Sequence, residues 1–173
     1  MVWMEAKQGA QDCMLLETSF DLTKGEKQKK LSFPQQVKTE VVIEHWICGF
    51  RFGTQDDSPR ECDCWTSNVT PKGFTANVNG SSNAERLDVT WMVYKKGKRK
   101  VASGTFSTAD IDVRDEGEAE NTGKVDFPHA AFTSTPTVLV GFSQFEMAGG
   151  RDLRLLVRTT GASSTGFTWH LSM

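Results

Sequence analysis

The residues that could do acid–base or metal chemistry are few, and their spacing is wrong for it. The three histidines are His45, His129 and His170. None stands in a His-x-x-x-His or His-Glu-x-x-His spacing, which would set two imidazoles on one helix face, and no Gly-x-Ser-x-Gly elbow presents a nucleophile. Asp110 and Asp112 share a face if their segment is a strand, but no neighbouring sequence builds the cleft that paired glycosidase carboxylates need. Gly149-Gly150 reads as a turn rather than a phosphate cradle, because no helix follows it. The sequence therefore assigns no catalytic residue, no metal and no cofactor. Binding chemistry remains. Sugars are held by charge-assisted hydrogen bonds to their hydroxyls, often with an aromatic ring beneath the ring face. Arg154, with Trp169 and His170 at the end of the following apolar run, supplies those types. The same positions also suit a solvated outward arginine and a core tryptophan.

Those residues sit in the stretch that organises the chain, Gly123 to Leu171. Three short β-rich runs are separated there by Gly, Pro and Ser clusters. Val138 to Phe145 is part alternating and part continuously apolar. Leu153, Leu155 and Val157 alternate with Arg154, Leu156 and Arg158, which sends one set inward and the other outward. Period two between tight turns predicts antiparallel strands, and helical periodicity is weak throughout. The expected fold class is all-β, built as antiparallel β-sandwiches.

Composition agrees. The 173 residues carry a formal charge of −2, with 11 Phe and 5 Trp to fill a core. Near-neutral charge gives no electrostatic case for nucleic acid, and no run is long enough to span a membrane as a helix. No apolar segment of signal-peptide type follows Met1. The expectation is a protein that stays inside the cell, leaves by another route, or has had its N-terminus trimmed. The four cysteines Cys13, Cys48, Cys62 and Cys64 lack the Cys-x-x-Cys spacing of zinc sites. They read either as free thiols or, if Phe52 and Arg60 close a hairpin, as a cross-strand Cys48–Cys64 disulfide.

The chain also repeats itself. Trp3-Met4 recurs as Trp91-Met92, positions 3 and 91 lying 88 apart, and Gly73-Phe74-Thr75 recurs as Gly166-Phe167-Thr168, 93 apart. A drifting offset of this kind predicts tandem copies with small loop insertions. Residues 1–95 form the first copy and 101–173 the second. Residues 95–100, Lys-Lys-Gly-Lys-Arg-Lys, form a basic connecting turn between them. By comparison with the first copy, the second lacks its last strand, which leaves an open edge. It is expected to be completed by another chain or to be marginally stable.

The C-terminal stretch resembles the H-type lectin domain, through Ser103-Gly-Thr-Phe-Ser-Thr108, Gly123-Lys-Val-Asp-Phe127, Pro136 to Phe145, Asp152-Leu-Arg-Leu155 and Thr165-Gly-Phe-Thr-Trp-His170. The resemblance implies six-stranded antiparallel sandwiches that assemble as homo-oligomers, commonly trimers. It implies binding of galactose or N-acetylgalactosamine glycans with neither catalysis nor metal. Arg154 matches the family's sugar-binding arginine. The loop holding Asp115 and Glu118 takes the place of its sugar-binding aspartate, and its aromatic platform, a few positions after the Thr168 strand, falls beyond Met173. In the first copy the arginine position is Glu61. The leading expectation is a glycan-binding protein, and the alternative is a self-assembly or protein-interaction module with a degenerate site.

Overall fold

The computed structural model describes residues 2–4, 13–38, 40–53, 57–97, 101–108, 121–127, 132–149 and 155–172. Among these the regular structure is β-strand, apart from 3-10 turns at Leu22–Lys24 and at Thr108, and every strand pairing is antiparallel. The protein is an all-β sandwich protein, as the period-two patterning required. The chain divides into two compact units, neither continuous in sequence.

The first unit comprises Met1–Gln11, Lys98–Gly141 and Asp152–Met173. Its strands are β1 (Val2–Met4), β8 (Ser103–Thr105), β9 (Asn121–Asp126), β10 (Leu139–Gly141), β12 (Leu156–Thr160) and β13 (Gly166–Ser172). They form two sheets, β10-β1-β8 and β12-β13-β9. The second unit comprises Asp12–Gly97 and Phe142–Arg151. Its strands are β2 (Cys13–Asp21), β3 (Gln28–Ser32), β4 (Val41–Phe52), β5 (Arg60–Thr70), β6 (Gly73–Gly80), β7 (Ala84–Lys95) and β11 (Gln144–Met147). Their sheets are β2-β7-β4 and β11-β5-β6-β3.

The two units use their sequence in parallel ways. β7 lies between β2 and β4, with Trp91 opposite Leu16 and His45. β1 lies between β8 and β10, with Trp3 opposite Gly104 and Val140. Val2–Met4, which repeats the Trp-Met of β7, takes the middle place between β8 and β10, which form the edges of that sheet. Gly73 and Gly166, each opening its strand, share a second device. A Cβ at Gly73 would strike the Leu31 carbonyl of β3, and one at Gly166 the Val125 carbonyl of β9. Only glycine allows so close an approach.

The core of the second unit lies between its sheets. Leu87, Val89, Trp91 and Val93 of β7 are fully buried, and Phe74 of β6 packs its ring 5.4 Å from that of Trp91. Each such side chain contributes about 1.5–3 kcal/mol by leaving water. Val138 to Phe145 does not form one strand. It breaks after Gly141: the Ile47 N–H donates to the Phe142 carbonyl at 2.7 Å and the Cys64 N–H to the Ser143 carbonyl at 3.0 Å. These bonds seat β11 beside β5, where Phe145 packs 5.2 Å from Phe50 and 6.3 Å from Phe52.

Phe52 and Arg60 do not close a hairpin. β4 pairs with β7, and β5 pairs with β6 and β11, so the intervening segment crosses between sheets. Cys48 and Cys64 are consequently not on paired strands, and all four cysteines are free thiols. Burial pushes the Cys62 thiol up to about 12, and burial raises Cys64 as well.

Candidate functional site

β13 carries the contrast between an inward and an outward face that period two imposes. Trp169 points inward and is 2% exposed, stacked on Phe106 with ring centroids 4.8 Å apart and planes at 21°. Its register partner is Gly123 of β9, whose missing side chain makes room for the indole. Trp169 is thus enclosed and offers no ring face to solvent; it anchors the strand from below.

His170, the next residue, points the other way. Across the sheet it is opposite Arg158 of β12 and Thr122 of β9. The neighbouring row on the same face is Thr160, Thr168 and Lys124. The His170 Nε2 and the Thr160 Oγ1 share a hydrogen bond of 2.7 Å. That bond holds the imidazole diagonally across the two strands. The resulting face presents guanidinium, imidazole, ammonium and hydroxyl groups, which donate and accept hydrogen bonds. Arg154 precedes β12 and shares the parity of Arg158, but it lies outside the described residues, as do Asp115, Glu118, Asp110, Asp112 and His129. Among the described residues no group of His, Cys, Asp and Glu is placed to hold a metal ion, and no helix is long and apolar enough to cross a membrane.

Residues 122–173 match the family model of the H-type lectin domain. That segment is therefore similar to the H-type lectin domain. The match takes in all of β10, β11, β12 and β13, most of β9, and the Arg154 position, so the outward face of β12-β13-β9 belongs to the lectin-like region. No curated protein and no solved structure matches the chain.

A second polar site escaped sequence reasoning. It is a hollow on the second unit, at the end of β2, β4 and β7, whose lining includes Ser19, Asp21, Glu26, Lys29, Arg51 and Arg86. These residues are scattered over four strands and a loop, so no linear spacing announces them. The one available signal was their parity: Ser19 and Asp21 flank the fully buried Phe20, and Arg86 precedes the fully buried Leu87.

Proposed function

We propose that the chain is a non-enzymatic lectin that binds galactose- or N-acetylgalactosamine-type glycans through the lectin-like segment. The match of residues 122–173 to the H-type lectin domain carries this reading. Arg154 donates charge-assisted hydrogen bonds to sugar hydroxyls, Asp115 and Glu118 accept from them, and His170 extends the polar face beside them. Trp169 supports His170 through the backbone rather than stacking on the sugar, because its ring is enclosed. Two tandem copies make up the chain, and the assembled form is a homo-oligomer of trimeric type. Its partners are glycans or glycoproteins, consistent with a part in cell adhesion.

The test is calorimetric titration with galactose and N-acetylgalactosamine, repeated with Arg154→Ala. Binding by the native chain and a loss of at least tenfold in the variant support the reading. A folded chain that binds no glycan on a broad array abandons it for the second reading, a self-assembly or protein-interaction module. Two observations favour that alternative: the enclosed Trp169 ring, and Glu61 at the arginine position of the first copy.

A further inference from the structure

We propose that the hollow on the second unit is a saccharide site of its own, taking one neutral sugar ring through hydrogen bonds to its hydroxyls. The proposal rests on the carbohydrate-binding reading above but uses different residues. Glu61, which the family resemblance sets at the arginine position, is not among those that line it.

The hollow has a volume of about 330 Å³, at the small end of ligand pockets and fit for a monosaccharide. Asp21, Arg86 and Arg51 form one row across β2, β7 and β4. Two guanidiniums directly opposite each other on a sheet repel. Each is balanced through its Nε: Arg51 by Glu85 at 2.7 Å, Arg86 by Asp88 at 2.9 Å. That arrangement engages one N–H of each fork and leaves terminal amino groups to donate. Arg86 directs Nη2 at the Ser19 hydroxyl, 3.3 Å away.

The opposite rim supplies acceptors. Glu26 Oε2 takes the Asp21 N–H at 3.0 Å and the Lys29 ammonium at 2.9 Å, which leaves Oε1 to accept elsewhere. Lys29 also donates to the Ser19 carbonyl at 2.6 Å. Hydrogen bonds from Lys24 and Thr23 hold the Asp21 carboxyl down to about 2, so it is an acceptor at any physiological pH.

The balance of the lining decides the ligand class. Asp21, Glu26 and Glu85 face Lys29, Arg51 and Arg86, three charges of each sign. A net-neutral rim draws in neither an anion nor a cation. A sugar hydroxyl donates and accepts at once, and can use both halves of every pair. Phe20 is fully buried, so the lining offers no exposed aromatic ring for stacking. Recognition therefore runs through hydroxyls alone, and the affinity belongs in the millimolar range.

The experiment is a backbone-amide NMR titration of the full chain with galactose, N-acetylgalactosamine, glucose and mannose at millimolar concentrations. The expected result is saturable shifts at Ser19, Asp21, Arg51 and Arg86 with at least one sugar. Arg86→Gln should abolish them or weaken binding at least tenfold. Arg51→Gln, at a side chain that is 66% exposed, should weaken them too. Shifts confined to the surroundings of His170, or hollow shifts unchanged in both variants, overturn the proposal and leave the Arg154 reading standing. Hollow shifts that survive Arg154→Ala, with none near His170, uphold the proposal and overturn that reading instead. No shift with any sugar overturns both.

Discussion

Trp169 lies over Gly123: the two are register partners, and a Cβ on Gly123 would come within 2.5 Å of the indole Cζ2. The glycine is there for space, since no side chain can share that place with the ring. Gly123→Ala should destabilise the protein by about 1–3 kcal/mol through overpacking. Trp169→Phe in the Gly123→Ala background should recover part of that loss, because a smaller ring clears the new methyl. Urea unfolding followed by circular dichroism measures both. Equal stability of Gly123→Ala and the native chain would mean that the indole does not occupy this position.

The thiols offer a check on the second unit. Cys62 and Cys64 are buried and their pKa values raised, whereas Cys48 is exposed and Cys13 half-buried. A thiolate is the reactive species, so burial protects twice, by access and by ionisation. In the native protein at pH 8, Cys48 should react with Ellman's reagent first and Cys13 more slowly, with Cys62 and Cys64 silent. In urea without reductant all four should react. Fewer than four would reveal a disulfide and contradict the strand pairing of β4 and β5.

The fold was more legible than the site, for a physical reason. Alternation along Leu87-Asp88-Val89-Thr90-Trp91 is a local property, visible in one window of sequence, and it gives a strand that puts Leu87, Val89 and Trp91 in the core; that Thr90, Met92 and Tyr94 of the other face are buried as well depends on packing the window does not contain. Pairing is not local. The turn chemistry between Phe52 and Arg60 suits a hairpin, yet burial of both flanking strands in opposite sheets makes it a crossover. The Trp3-Met4 repeat was visible too, but a copy of a strand does not say which neighbours it joins. Residues of the hollow come together only through such pairings: Asp21, Arg86 and Arg51 meet across three strands. Sequence reading grouped His170 with Trp169 as binding types, whereas the strand turns them to opposite faces. Its tie to Thr160 depends on a register that no single segment encodes.

His45 gives the stability a pH dependence. Burial lowers its pKa below 6.5, against smaller opposing effects from the Cys64 backbone, Glu44 and Asp63. Its ring lies 5.3 Å from that of Trp91. A histidine held below its unfolded pKa binds fewer protons in the native state, so stability is full above about pH 6.5 and declines as pH falls through the folded value. Burial raises the nearby Asp63 carboxyl, an opposite contribution that acts lower, in the carboxylate range. Urea midpoints should therefore fall between pH 7.5 and pH 5.5, and His45→Gln should flatten that fall. An unchanged slope in the variant would assign the dependence to another group.

β1 should be required by the unit it completes. It is the shared neighbour of β8 and β10, which have no pairing with each other among the described residues. Deleting residues 1–11 leaves two three-residue strands with every inward-facing backbone group unpaired, and buried unpaired amides are costly. Hydrogen exchange should then lose protection at Ser103–Thr105 and Leu139–Gly141. It should be retained in β2, β4 and β7, whose own middle strand is intact. A synthetic peptide of residues 1–11 added in trans should restore the lost protection in proportion to its concentration, as a strand binding a vacant place must. Unchanged protection at both segments in the deletion would show that β1 is not the strand that holds them together.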